Sequence, residues 1–229
     1  ETIDYGPCAF MNKYDPDTVF SSIDHQGRYS YYNQPRIAKW NLERFAECLI
    51  PLINNEDTKV AIKDATEVLK EFPKKYKKKW LEMMKKKLGL VGDDTKDEQL
   101  IIELLSWMHK NKADYTNTFC YLMNEYKKKN EIYDEKKFIL WKKKWEDRIN
   151  INNNSQKKSL KIMREVNPLI IPRNHFVEEA LNYATEKNDL SKVRELLKVL
   201  QNPYGDIATN SAYQSPPFSE ENYMTYCGT

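Results

Sequence analysis

The stretch DYGPCAFMNKYDPDTVFSSIDHQGRYSYYNQPRIAKWNL, from Asp4 to Leu42, determines how the whole chain is interpreted. It is rich in aromatic and polar residues and shows no helical period before Arg36. Such a composition is typical of a loop held by specific contacts, and loops of this kind often carry function. We therefore expect residues 1–34 to be irregular and to pack against a helix that begins near Pro35. Four aromatic side chains should be largely buried in that packing: Phe10, Tyr14, Tyr29 and Trp40.

Beyond this stretch, apolar residues recur at the three-to-four spacing of amphipathic helices. Phe138, Trp141 and Trp145 show the pattern, since they fall on one face of a predicted helix. Pro73 interrupts an earlier helical pattern, and Gly89 ends that pattern as a helix C-cap. About eight helices and no convincing strand emerge in this way, so the predicted fold class is mainly α.

Three parts follow from these patterns. Residues 1–34 form an irregular segment with a D-Y-G tripeptide, residues 35–203 form a helical domain, and residues 204–229 form an irregular tail that contains Cys227. The chain begins with Glu1 rather than Met and shows no signal or transit peptide. We therefore expect it to be a piece of a longer protein.

The charge balance argues against a nucleic-acid partner. The sequence has 37 basic and 34 acidic side chains, and its net charge of +3 is small. Lysine triplets lie inside helical patterns beside apolar and acidic residues, which is typical of solvated helix faces. These triplets are Lys77–Lys79, Lys85–Lys87, Lys127–Lys129 and Lys142–Lys144. No apolar run approaches the ~20 residues of a membrane-spanning helix, so we predict neither a nucleic-acid nor a membrane partner.

The tripeptide Asp4-Tyr5-Gly6 is similar to the D-F-G motif of protein kinases. The carboxylate of that motif holds the Mg²⁺ that bridges the nucleotide phosphates. Mg²⁺ prefers hard oxygen ligands, and one carboxylate with phosphates and waters suffices. The glycine permits a sharp backbone turn after the ligand. Plain turns also contain such tripeptides, so the motif alone leaves both interpretations open.

The histidines give weaker signals. Asp24, His25 and Arg28 lie within five residues, and they either clamp a phosphate or form a hydrogen-bonded loop, which we favour. His109 is expected to be a cation at a helix C-terminus. His175 precedes two glutamates at near-helical spacing, but no second carboxylate pair completes a metal site, so a helix-start role is favoured.

The four cysteines show no C-x-x-C spacing. Neither a zinc ribbon nor a disulfide framework is expected, and a reducing compartment is the default. Cys48 lies in an amphipathic pattern and Cys120 follows Phe119, so we expect both thiols to take part in helix packing and to react slowly. Cys227 is the third residue from the end, and its accessible thiol has either a redox role or none.

Taken together, the motifs resemble the C-terminal half of the selenoprotein O (SelO/YdiU) family of kinase-like protein adenylyltransferases. Their order and spacing along nearly the whole chain carry the resemblance. The matching segments are Asp4-Tyr5-Gly6-Pro7, Tyr14-Asp15-Pro16, Asp24-His25-Gln26-Gly27-Arg28-Tyr29, Asn33-Gln34-Pro35, Trp40-Asn41-Leu42, Lys87-Leu88-Gly89-Leu90, Ala113-Asp114-Tyr115-Thr116, Val166-Asn167-Pro168, Arg173-Asn174 and Asn202-Pro203-Tyr204.

The resemblance implies a protein kinase-like fold, of which this chain forms the helical C-lobe part. It implies transfer of AMP, rather than phosphate, from ATP to Ser, Thr or Tyr hydroxyls of other proteins, with attack at the α-phosphate of a reversed nucleotide. Asp4 would be the residue that contacts both ATP and Mg²⁺, or Mn²⁺ in its place. In family members the catalytic base and the remaining phosphate-binding residues lie upstream of Glu1, so the isolated chain would hold no catalytic base and be inactive.

Two further expectations come from the resemblance. Cys227 falls where some family members carry selenocysteine, which implies a redox role for its thiol. Cys8-Ala9-Phe10 and the ending Cys227-Gly228-Thr229 are most similar to bacterial members, which implies a cytoplasmic protein, whereas a eukaryotic member would be mitochondrial.

Two alternatives stay open at this stage. The chain is compatible with a helical binding module that performs no chemistry. It is equally compatible with a genuine kinase that transfers the γ-phosphate, because the D-Y-G aspartate serves either reaction.

Oxidation of the full-length protein should link Cys227 to Cys8, which lies four residues after Asp4. The geometric requirement is that their Cα atoms come within ~7 Å. Mass spectrometry of the oxidised protein checks this expectation. A Cys227 thiol that stays free, or that is linked only between molecules, would contradict the intramolecular pairing.

Overall fold

A computed structural model describes residues 10–21, 23–126, 130–151, 156–205 and 211–218. Within these ranges the chain is helical, which confirms the predicted mainly α class, and its one β feature is an isolated antiparallel bridge between Lys13 and Asp114. The α-helices are α1 (Gln34–Ile53), α2 (Thr58–Lys70), α3 (Phe72–Lys87), α4 (Asp97–Asn111), α5 (Tyr115–Leu122), α6 (Lys136–Ile149), α7 (Gln156–Val166), α8 (Asn174–Glu186) and α9 (Ser191–Leu200). Short 3₁₀ helices cover Tyr31–Asn33, Glu131–Asp134 and Ser211–Gln214. None of the helices in the described ranges has the length and apolar character needed to cross a membrane.

The described residues form two compact units. The first comprises Pro16–Glu82, and the second comprises residues 10–15 and 83–218 as far as they are described. The division falls inside α3, between Glu82 and Met83. The three-part organisation expected from the sequence stays a prediction.

The first unit is built on the helical hairpin of α1 and α2. Pro35 lies in the first turn of α1, where its missing N–H costs nothing. The Asp57 carboxylate accepts hydrogen bonds from the backbone N–H groups of Lys59 and Val60, so it caps α2. Pro73 follows in the first turn of α3, where the sequence predicted a break in the helical pattern. Ile37 and Ala61 are the buried apolar side chains in the described part of this unit.

Burial of the aromatic residues in the N-terminal segment was predicted correctly only for Tyr14, of which 9% is exposed. The prediction is wrong for Phe10, Tyr29 and Trp40, which are 38%, 38% and 37% exposed. The physical reason is clear for Trp40. The guanidinium groups of Arg28 and Arg44 lie over its ring at 4.7 and 5.3 Å, so cations rather than a core cover it.

The second unit has an aromatic core between α4 and α6. The rings of Trp107 and Phe138 are 4.4 Å apart, and the stacked rings of Trp141 and Trp145 are 6.4 Å apart. All four residues are buried, which confirms the predicted inward face of α6. Each indole N–H has an acceptor, at 2.8 Å in every case: the carboxylate of Glu135, the carbonyl of Leu100 and the carbonyl of Leu88, respectively. These large rings are therefore buried without leaving a donor unsatisfied.

The end of α3 is closed by a Schellman motif centred on Gly89. The N–H of Gly89 donates to the carbonyl of Lys86, and the N–H of Leu90 donates to the carbonyl of Lys85. Gly89 has φ +66°, in the left-handed region that favours glycine. A Cβ at this position would lie 2.7 Å from the backbone oxygen of Ser159. The predicted C-cap is therefore confirmed. The backbone at Gly89 also lies close to the backbone at Ser159.

The triplet Lys85–Lys87 departs from the predicted solvated face. The Lys85 ammonium lies 2.7 Å from the Asp93 carboxylate and 3.3 Å from the Asp97 carboxylate. The Lys87 ammonium lies 4.4 Å from the centre of the Phe119 ring. Burial lowers the pKa of Lys87 to about 8. The prediction of solvent exposure is therefore wrong for two of the three lysines, because two carboxylates and an aromatic face provide other partners.

Substitution Gly89→Ala should destabilise the protein much more than Gly92→Ala does. Both glycines have positive φ, so each alanine carries backbone strain of about 1 kcal/mol or more. Only at position 89 does the new Cβ also meet backbone and side-chain atoms, since nothing lies within 4 Å of it at position 92. In urea unfolding, the free energy of unfolding of Gly89→Ala should be lower than that of the control Gly92→Ala by at least ~2 kcal/mol. Equal losses of stability in the two variants would show that the structure around Ser159 shifts to accommodate the new Cβ without cost.

Substitution Lys87→Met should stabilise the protein at pH 7 and lose that advantage as the pH rises. The folded-state pKa of about 8 lies below the ordinary 10.5, so the unfolded chain binds more protons between these two pH values. The wild-type protein therefore gains stability from pH 8 to pH 10.5, whereas the methionine variant does not. We expect an advantage on the order of 2 kcal/mol at pH 7, measured by urea unfolding at pH 7 and pH 10.

Exposed Lys86 supplies the control. Lys86→Met should change the free energy of unfolding by less than about 0.5 kcal/mol at either pH. A constant advantage for Lys87→Met at both pH values would contradict the proposed titration.

Candidate functional site

The residues that the sequence singled out most strongly lie outside the described ranges. These are Asp4, Cys8 and Cys227. The ATP, metal and redox assignments made for them stay predictions. What the structure does describe is the segment that follows Asp4 and its contacts within the second unit.

Residues 12–14 pair with the start of α5. The N–H of Tyr14 donates to the carbonyl of Ala113 at 2.9 Å, and the N–H of Tyr115 donates to the carbonyl of Asn12 at 2.7 Å. The rings of Tyr14 and Tyr115 stack with their centres 5.7 Å apart. Residues 12–14, which lie six to eight residues after Gly6, are thus fixed within the second unit.

The Asn12–Asp114–Arg173 cluster reinforces this pairing with side chains. Arg173 is only 1% exposed, and its two terminal nitrogens donate to the Asp114 carboxylate at 2.8 and 3.2 Å. One of these nitrogens, Nη1, also donates to Asn12 Oδ1 at 2.5 Å. A guanidinium suits this role because its planar fork binds a carboxylate through two hydrogen bonds and keeps further donors available.

Asp114 has a second role as the N-cap of α5. Its Oδ1 accepts a hydrogen bond from the backbone N–H of Asn117 at 2.8 Å. The same carboxylate therefore satisfies a helix end and neutralises a buried cation. Arg173 precedes α8, and its Nε has no hydrogen-bond partner among the described residues.

Burial shifts the pKa values of two ionisable groups near this ion pair. Burial raises the pKa of the Cys120 thiol to about 12, and the Asp114 carboxylate acts in the same direction. Burial lowers the pKa of His175, and the Arg173 charge adds to this effect. The Cys120 thiol is therefore protonated at neutral pH.

The cysteine expectations are half right. Cys120 is buried in α5, as predicted, and its raised pKa makes it a poor nucleophile. The expectation that Cys48 takes part in helix packing is wrong, since Cys48 is exposed on α1. Its Sγ lies 3.4 Å from the carbonyl oxygen of Arg44, the residue one turn earlier. Cys48 is therefore an accessible thiol that an oxidation experiment on Cys227 must consider.

The loop around Asp24 in the first unit is hydrogen-bonded internally. The two carboxylate oxygens of Asp24 accept from the backbone N–H groups of Arg28 and Tyr29, each at 2.8 Å. The Asn33 amide donates to the carbonyl of Arg28 at 2.7 Å. These bonds agree with the favoured interpretation of a structural loop, because the carboxylate is occupied by backbone donors.

No group of three or more His, Cys, Asp or Glu residues in the described ranges is arranged to hold a metal ion. His109 lies in the last turn of α4 and His175 at the start of α8, as the sequence predicted. The magnesium site that the resemblance implies at Asp4 lies outside the described residues and stays a prediction.

Motifs that are far apart in the sequence contact one another in the second unit. The Asn167 amide donates to the carbonyl of Lys87 at 2.9 Å, 80 residues away. The N–H of Leu169 donates to the carbonyl of Pro203 at 2.7 Å. Sequence reasoning missed both these contacts and the role of Arg173. The available signal was that the motifs lie in loops, but nothing in the sequence indicated which loops meet.

The chain is similar to known proteins along most of its length. The family model described as "Protein adenylyltransferase SelO" matches residues 1–201. That range includes all three members of the Asn12–Asp114–Arg173 cluster as well as Asp4.

Several curated relatives, each named "Protein nucleotidyltransferase YdiU", match the whole chain. The protein of Pelagibacter ubique is 56% identical over 234 residues, which cover 100% of this chain and 47% of the relative. The proteins of Alcanivorax borkumensis and Nitrosococcus oceani are 48% and 47% identical over 230 residues, which cover 100% of this chain and 47% and 46% of the relatives. The chain thus spans about half the length of the curated relatives it matches. On the strength of the family model and these identities, the chain belongs to the SelO family of protein adenylyltransferases.

Proposed function

We propose that the full-length protein containing this chain transfers AMP from ATP to hydroxyl groups of other proteins. The observation that carries the proposal is the match of the SelO family model over residues 1–201, joined to similarity along the entire chain to proteins named as nucleotidyltransferases. The acceptors that we propose are Ser, Thr and Tyr side chains.

Within this chain, we assign the contact with ATP and the divalent cation to Asp4. A carboxylate is a hard oxygen ligand of the kind that Mg²⁺ selects, and Mn²⁺ accepts similar ligands. The cation would supply charge neutralisation at the phosphates. Asp4 would contribute a ligand and a fixed negative charge, and the following Gly6 would let the backbone turn away from the nucleotide.

We also propose that this chain does not act alone. It covers about half of the length of its relatives, and the base that takes the acceptor proton is assigned to the remainder of the full-length protein. The 229-residue chain by itself should bind Mg·ATP weakly or not at all. Since the matched relatives are bacterial, we assign the protein to the cytoplasm.

The experiment that tests the function uses the full-length protein with ATP labelled separately at the α- and γ-phosphates. Transfer of the α-label to protein, together with a mass increase equal to AMP, is the expected result. Transfer of the γ-label would instead indicate a kinase, and transfer of neither label would indicate a binding module without chemistry.

Substitution Asp4→Asn in the full-length protein should lower AMP transfer on the order of 10²-fold or more. The amide keeps the shape of the carboxylate but removes the charge that stabilises the phosphate-bound cation. Incorporation of the α-label measures the effect. Asp64→Asn, at an exposed position on α2, is the matched control and should retain wild-type activity. Activity of Asp4→Asn within a few-fold of wild type would remove Asp4 from the site.

A further inference from the structure

Two exposed arginines flank one exposed indole in the first unit. Trp40 and Arg44 lie on α1, and Arg28 lies in the loop before it. The guanidinium groups of Arg28 and Arg44 are 4.7 and 5.3 Å from the centre of the Trp40 ring. We propose that this Arg28–Trp40–Arg44 patch binds an acidic segment of the protein that accepts AMP. The inference rests on the proposed function, because it assigns a recognition surface for the acceptor protein.

Arg28 is held in place before any ligand binds. Its backbone N–H donates to the Asp24 carboxylate at 2.8 Å, and its carbonyl accepts from the Asn33 amide at 2.7 Å. Its Nε donates to the Tyr29 hydroxyl at 3.3 Å, and its guanidinium lies over Trp40. The two terminal nitrogens have no acceptor among the described residues. A ligand therefore meets donors that are already ordered, which lowers the entropic cost of binding.

The patch carries more positive charge than its neighbours neutralise. Arg28, and the exposed Arg36 one turn before Trp40, make no ion pair within the described ranges. Arg44 lies 2.6 Å from the Glu47 carboxylate, but 48% and 61% of these two side chains are exposed. Such a pair contributes little to stability, so a carboxylate of a ligand can replace Glu47. Because the guanidinium fork binds a carboxylate through two hydrogen bonds, an acidic partner complements the patch.

An apolar groove adjoins the patch along the hairpin of α1 and α2. Its volume is about 770 Å³, and Arg44 is one of the residues that line it. Its apolar lining includes Ile50, Pro51, Ile62, Ala65 and Leu69. A groove of this volume accommodates a few side chains. The segment that fits is therefore acidic at the arginines and apolar in the groove, and Trp and Arg are the residues that most often dominate binding at protein interfaces.

The groove also favours a protein partner over a single-stranded nucleic acid, which binds arginines and aromatic rings as well. Glu43 and Glu47 line the groove together with its apolar residues. A nucleic acid would carry its phosphates past these carboxylates, whereas a peptide can place uncharged side chains there.

The patch can be altered by single substitutions at exposed positions, so the fold should survive. Arg28→Ala and Arg44→Ala each remove one guanidinium group. Trp40→Ala removes the ring beneath both, and Trp40→Phe keeps an aromatic face. The matched control is Arg194→Ala, which removes one exposed arginine of α9 in the second unit and changes the net charge equally.

Fluorescence anisotropy with the full-length protein measures binding of a fluorescein-labelled octapeptide that has six glutamates around two leucines. We expect Arg28→Ala, Arg44→Ala and Trp40→Ala each to raise the Kd about tenfold, at an unchanged thermal midpoint. Trp40→Phe should stay within about threefold of wild type, because a phenyl ring retains much of the cation–ring contact. Arg194→Ala should bind as wild type does. The wild-type Kd should rise with salt, since exposed charges are screened.

Three outcomes would overturn the inference. The first is no binding of the peptide to the wild-type protein, and the second is equal binding by the patch variants and Arg194→Ala. The third is tighter binding of a dT oligonucleotide through the same arginines, which would make the partner a nucleic acid. Transfer of the α-label is measured separately. If the peptide binds through the patch but no AMP is transferred to any protein, the proposed function fails and the surface for acidic segments is still supported.

Discussion

The buried ion pair between Arg173 and Asp114 is the constraint on which the arrangement of the second unit depends. Removing two charges from water is costly, and an ion pair compensates for that cost only when its geometry is good and its other hydrogen bonds are made. Here the carboxylate meets the guanidinium through two bonds and also caps α5. Loss of either partner would leave a charge buried alone, which typically costs about 3–5 kcal/mol. The chain segments around Asn12, Asp114 and Arg173 therefore have to keep their relative positions.

The two units differ in how their chains are held. The second unit buries several large rings and long aliphatic side chains, and such burial contributes roughly 1.5–3 kcal/mol for each side chain. In the described part of Pro16–Glu82, only Ile37 and Ala61 are buried apolar residues. Caps, turn hydrogen bonds and cation–ring contacts such as Arg28 over Trp40 supply much of the local order there. These interactions are individually small and sensitive to their surroundings.

The sequence predicted the features that depend on local chemistry. The helical class, the inward face of α6 and the cap at Gly89 each follow from spacing or from one residue's conformational preference. The candidate site depends instead on contacts over long sequence distances, such as the 161 residues between Asn12 and Arg173. No periodicity encodes such a pair. The exposure of Cys48 was missed for a related reason, because an amphipathic pattern does not show how wide a helix face its neighbours cover.

The stacked indoles of the second unit have a spectroscopic consequence. Trp107, Trp141 and Trp145 are buried, and each donates its N–H to a fixed acceptor. In the first unit, by contrast, Trp40 is exposed. Indoles in apolar surroundings fluoresce at shorter wavelengths than hydrated ones, and closely stacked pairs give strong near-ultraviolet circular dichroism. The three buried indoles thus contribute an optical signal from the aromatic core, beside the signals of Trp40 and of the half-buried Trp80 in the first unit.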